Sequence, residues 1–190
     1  MSEGRIAAGA GGPAAAGMVA GTAEGGSTRP VLRPMALDDL DAVMAIEVSA
    51  YPYPWSRGNF IDTLAAGHDA RVLEAPDGSL IGYLVALHGG PETHLLNLTV
   101  APTRQRQGHA RHLLDDLLAR AADGGAAQVW LEVRASNRRA RTVYERRGFK
   151  TVGLRRHYYP SGGGRREDAV LMSFSVPQAT TVTAPGGESP

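Results

Sequence analysis

The 190-residue chain has no cysteine. That excludes disulfides, thiolate metal sites and a cysteine nucleophile. No apolar run is long enough to cross a bilayer as a helix. Charge is nearly balanced, at a net +1, so no global field draws the chain toward nucleic acid or a membrane. The six histidines show no ligand spacing, and no metal is expected. There is no Gly-Lys-Ser/Thr P-loop and no Gly-x-Gly-x-x-Gly dinucleotide fingerprint. What remains, with an apolar share of 43%, fits one ordinary globular domain with its own core, expected in the cytoplasm.

Composition divides the chain. Sixteen of the first 28 residues are Gly or Ala, and such a segment cannot bury enough surface to offset its ordering entropy. Residues 1–28 are therefore expected to be a disordered leader, with Met18 as an alternative start. A lone Arg5 followed by a run broken at Pro13 does not make a signal peptide. Residues 177–190 are rich in Pro, Gly and Thr and are expected to form a disordered tail. The folded domain is expected over residues 29–176.

Within it, Val31–Arg33 reads as a short strand. Asp38 is placed to cap a helix carrying Leu40, Val43, Met44 and Ile46. Tyr51–Trp55, with two prolines and three aromatics, reads as a loop. Ser56 is placed to cap a second helix holding Phe60, Ile61 and Leu64. Strands follow at Ala70–Glu74, Ser79–Leu87 and His94–Val100, the first two separated by a Pro76-Asp77-Gly78 turn. Gln107–Ala122 has apolar residues at helical spacing and ends at Gly124-Gly125. Gln128–Arg134 alternates, with Val129, Leu131 and Val133 on one face and Trp130, Glu132 and Arg134 on the other. Asn137 is placed to cap a last helix that ends at Gly148. Phe149–Arg156 and Glu167–Val176 read as closing strands around a glycine-rich loop. This order predicts an α/β fold: a mixed central sheet of six to seven strands with helices on both faces.

One junction stands out. A strand ends at Val100, and Ala101–Ala110 leads into the long helix through Gly108. Helix N-termini present unpaired N–H groups and a positive dipole end, which suits an anion. Gly108 and the small Ala110 let a phosphate approach the backbone. Arg104, Arg106 and Arg111 are placed to pair with its charge. The same residues also fit an ordinary helix cap under a solvated basic patch.

Gln105-x-x-Gly108-x-Ala110 resembles the signature of the GNAT acetyltransferases. Leu96–Val100 with Pro102 is similar to that family's fourth strand, and Asn137–Phe149 to its fourth helix and exit. The resemblance covers nearly all of residues 31–176. Leu131–Asn137, Arg156–Pro160 and Pro54-Trp55-Ser56 further resemble the bacterial RimI group, whose members acetylate the N-terminal alanine of small-subunit ribosomal protein eighteen. Ala110 departs from relatives that carry Gly there. The resemblance implies acetyl-CoA as co-substrate. It places Leu98, Thr99 and Val100 along the pantetheine arm through their main chain, and Arg106, Gln107, Gly108, His109, Ala110, Arg111 and Asn137 around the cofactor. The implied partner is a protein N-terminus, with neither nucleic acid nor membrane.

Attack of an amine on a thioester needs a neutral amine, help for the developing oxyanion and a proton for the departing thiolate. Glu132, on the face opposite Leu131, is the candidate base, and Tyr144 the candidate acid. Each also has a plain structural reading: Glu132 as a solvated glutamate or a partner for Arg134, Tyr144 as the aromatic of a core stripe. The resemblance favours the catalytic roles. Tyr51, Tyr53, Trp55, Tyr158 and Tyr159 are candidates for shaping the acceptor entry. The alternatives are acetylation of a small-molecule amine, or a non-catalytic CoA-binding regulator. A basic nucleic-acid face on the last helix lacks an accompanying aromatic platform.

Overall fold

Seven strands form one mixed sheet in the order β1-β2-β3-β4-β5-β7-β6. The strands are β1 (Val31–Pro34), β2 (Asp69–Glu74), β3 (Leu80–Gly89), β4 (Glu92–Val100), β5 (Gln128–Arg134), β6 (Lys150–Pro160) and β7 (Arg166–Ser175). The helices are α1 (Leu40–Ala50), α2 (Arg57–Ala65), α3 (His109–Asp123) and α4 (Arg138–Arg147). This computed structural model describes residues 28–177. The expectations for the leader, for Met18 and for the tail lie outside the described residues, apart from the boundary positions 28 and 177. All neighbouring strands run antiparallel except β4 and β5. The expected mixed sheet with helices on both faces is the fold observed.

Each face has its own apolar cluster. Leu40, Val43 and Ile46 of α1 and Phe60 of α2 pack with Val72, Tyr83 and Val85. On the other face, Leu113, Leu114, Leu117 and Leu118 of α3 pack with Leu84, Leu95, Val129, Leu131 and, from α4, Tyr144. Burying each such leucine contributes about 1.5–3 kcal/mol. The alternation in β5 holds: Val129, Leu131 and Val133 are buried, while Trp130, Glu132 and Arg134 are half-buried. Gly82 is required by β4, because a Cβ there would lie 2.4 Å from the Thr99 carbonyl oxygen.

Several local expectations need correction. A 3₁₀ turn, Leu37–Asp39, precedes α1, so the residue at its N-cap is Asp39 rather than Asp38. The Asp39 carboxylate reaches back to the Ala36 amide and to Arg33, which pins the turn to β1. In α2 the buried residues are Phe60 and Thr63; Ile61 is exposed. α3 starts at His109, because the left-handed Gly108 ends the preceding loop. β6 runs on to Pro160. Ser56 and Asn137 do cap α2 and α4, accepting from the amides of Asn59 and Ala140.

Candidate active site

β4 and β5 pair in parallel from Glu92–Gln128 to Leu95–Leu131. Beyond that rung they part. Asn97–Val100 continues against β3, while Glu132–Arg134 continues against β7. Leu96 falls at a register shift in the β3–β4 ladder, and such bulges bend a strand. The result is a wedge in the middle of the sheet, where backbone amides and carbonyls of both strands face an opening. A cavity of about 330 Å³ lies between the parted strands, and a second of about 680 Å³ adjoins it along Leu98–Val100. They share Tyr51, Leu98, Asn137, Ala140 and Tyr144 as common wall.

The larger cavity lies over the loop before α3. Arg106 and Gly108 both have left-handed backbones, at φ 67° and 87°, and a curled loop of this kind turns successive N–H groups to one side. No side chain caps α3, so its first amides stay open to a ligand. Nothing lies within 4 Å of where a Gly108 Cβ would stand. Arg104, Arg106, Arg111, Arg139 and Arg146 line this cavity. Gln105 braces it: its Nε2 donates to the Val100 carbonyl at 3.0 Å, and its Oε1 accepts from Arg139 at 2.5 Å. Partial burial and then the neighbours His112 and Arg104 hold His109 below the usual histidine pKa. These features fit the diphosphate end of a CoA thioester: open amides, room above a glycine and guanidinium groups for phosphate.

Of the residues expected at the cofactor, Leu98, Thr99, Val100, Arg106, Gly108, His109, Ala110, Arg111 and Asn137 line this cavity. Gln107 does not. It is exposed, with its Oε1 3.3 Å from His109 Nε2. Thr99 supplies a side chain besides its main chain: its hydroxyl lies 2.9 Å from Asn97 Oδ1 and 3.1 Å from the Tyr51 hydroxyl.

Glu132 lines the smaller cavity and Tyr144 lines both. The Glu132 side chain is only 15% exposed, with Oε1 3.3 Å from Arg155 rather than Arg134. Its carbonyl accepts from the Tyr159 hydroxyl at 3.0 Å. Burial above all, then Tyr51 and Tyr159, push the Tyr144 phenol above its ordinary pKa, so it holds its proton. Among the described residues nothing hydrogen-bonds the Tyr144 hydroxyl. It is free to donate into the space where the cavities meet.

Arg134 ties the walls together. It donates to the Pro160 carbonyl at 2.9 Å and pairs with Glu167 at 3.3 Å. Its guanidinium lies 4.5 Å from the Tyr159 ring and 5.6 Å from the Tyr53 ring. Glu167 in turn accepts from the Ser136 amide at 2.6 Å. Partial burial raises the Glu167 pKa, but these bonds outweigh it and hold the carboxyl low. Tyr51, Tyr53, Trp55 and Tyr159 line the smaller cavity. Tyr158 stands outside, edge-on to Tyr159 at 5.0 Å.

Sequence reasoning missed Glu47, which is buried and lines the smaller cavity. The signal was its place: Glu47 follows Leu40 by seven residues and Val43 by four, on the apolar stripe of α1. It also missed Arg139 and Arg146 of α4 as cavity residues. Arg141 and Arg147 of that helix pair with Glu145 and Asp115 instead. Among the described residues no group of three metal-ligating side chains occurs, and no helix is long and apolar enough to cross a membrane.

Residues 40–149 match the model of the acetyltransferase (GNAT) family. The chain is 38% identical over 141 residues to the [ribosomal protein bS18]-alanine N-acetyltransferase of Escherichia coli K12, covering 73% of this chain and 92% of that one. The crystal structure of the ribosomal-protein-S18-alanine N-acetyltransferase from Escherichia coli superposes with a TM-score of 0.74 at 34% identity, over 82% of this chain and 99% of that one. Naa20 of Chaetomium thermophilum, solved with a bisubstrate analogue, shares the fold at a TM-score of 0.68 and 23% identity, over 77% of this chain and 86% of that one.

Proposed function

The chain belongs to the GNAT acetyltransferase family, and we propose that it transfers acetyl from acetyl-CoA to the N-terminal α-amine of a protein, specifically the N-terminal alanine of ribosomal protein bS18. The observation that carries this reading is the meeting of the two cavities at Tyr144, with Glu132 on the acceptor side and the open α3 amides on the other. The 38% identity to an enzyme named for that substrate supports the finer assignment.

Leu98–Val100 and the loop at Arg106–Arg111 hold the thioester, with Arg139 and Arg146 beside its phosphates. The bound molecule supplies the activated acetyl group. The acceptor α-amine enters between Tyr51, Trp55 and Tyr159. An α-amine has a reference pKa of roughly 7.7–8.0, so at neutral pH it arrives mostly charged. Glu132 takes a proton from it, directly or through water, and frees the lone pair. Nitrogen then bonds the acetyl carbon as the carbon–sulfur bond breaks, the Tyr144 hydroxyl gives its proton to the departing sulfur, and the second amine proton leaves nitrogen to restore the Tyr144 phenol. Burial keeps the Tyr144 phenol protonated at working pH, so a proton is present to give. The chain acts where bS18 is made, in the cytoplasm.

The test offers acetyl-CoA with peptides beginning Ala, Ser or Met and with a lysine side-chain control, read by mass spectrometry. Acetylation should fall on the α-amine, fastest for the bS18 sequence beginning with alanine. Acetylation of the lysine control alone, or of a small amine in preference to every peptide, overturns the reading.

A further inference from the structure

We propose that Glu47 is the carboxylate that receives the acceptor's charged α-ammonium group, so that the site selects the free amine over its acetylated product. This inference rests on the α-amine reading above. Glu47 sits on the last turn of α1, 1% exposed, in the wall of the acceptor cavity. Its Oε1 accepts from the Trp55 amide at 2.7 Å, and its Oε2 accepts from the Tyr83 hydroxyl. Both partners are neutral. No arginine, lysine or histidine pairs with Glu47 among the described residues.

That sets it apart from its neighbours. Glu132 has Arg155, and Glu167 has Arg134. A buried carboxylate without a cation is costly unless something else supplies the charge. A leucine would fill the same position on the α1 stripe without that cost. A carboxylate offers about four acceptor sites, of which two are used here. An ammonium group brings three donors and the missing positive charge. The Trp55 amide and Tyr83 hold the carboxylate in place, and so tie the entry loop to the residue that would read the substrate. The titratable and charged groups around the same cavity are Tyr51, Tyr53, Tyr83, Glu132, Arg134, Tyr144 and Tyr159. Arg134, the cation among them, is already engaged by Glu167 and the Pro160 carbonyl.

The acetylated product carries an amide in place of the ammonium. It presents no charge to Glu47 and leaves the carboxylate unpaired again, which favours release. The proton that the amine gives up passes to Glu132.

The test uses the full chain loaded with CoA, which cannot turn over, and an alanine-initiated peptide either free or N-acetylated. Calorimetry gives both affinities at about pH 6.5 and about pH 9, either side of the α-amine pKa of roughly 7.7–8.0. The wild type should prefer the free peptide at least about tenfold at the lower pH, as a charge-assisted contact requires, and lose most of that preference at the higher pH. Glu47→Gln should abolish the preference, whereas Tyr83→Phe and Glu132→Gln should keep most of it. A Glu47→Gln variant that keeps the preference and its pH dependence overturns the inference. If that variant does not fold, the wild type and Glu132→Gln still decide: free-peptide affinity that is flat or rises with pH in either overturns it. A wild type that acetylates no α-amine defeats the functional reading and this inference together. Normal turnover with an unchanged Glu47→Gln preference defeats this inference alone.

Discussion

Leu95 and Leu131 form the last rung that joins β4 to β5. Up to that pair the sheet is continuous; past it, each strand keeps only its outer neighbour. Both side chains are buried against α3, so the wedge opens from a fixed hinge in the core. The geometry of the cavity therefore depends on a buried core pair that also forms part of its wall, with Leu131 directly before Glu132.

Acetyl-CoA should stabilise the protein. A ligand that binds only the folded state contributes about 2.7 kcal/mol at a hundredfold excess over its Kd. Thermal melts with increasing acetyl-CoA should show a dose-dependent rise. Gly108→Leu should remove the rise. It blocks the approach to the backbone and strains a left-handed position by about 1–2 kcal/mol, yet it meets no neighbour in the fold.

Glu132→Gln and Tyr144→Phe should each lower kcat by roughly 10²–10⁴-fold, the usual share of general acid–base catalysis. Acetyl-CoA affinity should hardly change, because neither side chain is assigned to the phosphates. The Glu132→Gln deficit should shrink as pH rises past the α-amine pKa of roughly 7.7–8.0, where substrate arrives neutral. Turnover at wild-type rates in both variants would leave positioning alone to carry the reaction.

Removing the Arg134 tie should loosen acceptor binding. Arg134→Ala frees Tyr53, Tyr159 and the Pro160 carbonyl from one another. The KM for peptide should rise by about tenfold with little change in acetyl-CoA affinity. Arg134→Lys should restore only part of the loss, since an ammonium cannot reproduce the planar stacking. Steady-state kinetics with each substrate varied separately separates the two effects.

Alkaline pH should destabilise the fold through its buried phenols. Burial above all, with Tyr158 and Glu132 adding to it, raises Tyr159 to about 12. Tyr51 shifts the same way. A raised folded pKa means the stabilisation is complete below the unfolded value of about 10 and is lost as pH rises through about 12. Melting temperature should fall across that window, and less steeply in Tyr159→Phe.

At the acid end the Arg33–Asp39 pair should matter. Arg33 bonds both Asp39 oxygens at 2.8 Å. That contact, against opposing burial, holds the Asp39 carboxyl below its usual pKa. Its contribution is present above the unfolded value of about 3.9 and is lost as pH falls through the lower folded value. Asp39→Asn should cost about 1–2 kcal/mol at neutral pH, allowing for solvent around Arg33. Urea denaturation at neutral and acid pH measures it: the difference between the two proteins should vanish in acid.

The sequence alone determined whatever depends on local chemistry. The alternation of Gln128–Arg134 placed Glu132 opposite Leu131. The spacing of Leu113, Leu114, Leu117 and Leu118 specified the α3 stripe, and Ser56 and Asn137 marked their caps, because periodicity and capping are properties of a few consecutive residues. Gly108 marked the start of α3 for the same reason, and the resemblance of Gln105-x-x-Gly108-x-Ala110 to the GNAT signature marked the loop before it. Only the tertiary structure decided what arises between segments distant along the chain. Ile61 and Phe60 are both apolar, and packing on the sheet chose Phe60. Glu132 meets Arg155 rather than Arg134 because β7 intervenes between β5 and β6 and sets their register. Glu47 became part of the wall of the smaller cavity only when α1 came to lie against Tyr83 and the Trp55 loop. The parting of β4 and β5 after Leu95–Leu131 left no mark in either strand's own pattern, since pairing is a relation between strands, and neither sequence states where its partner stops.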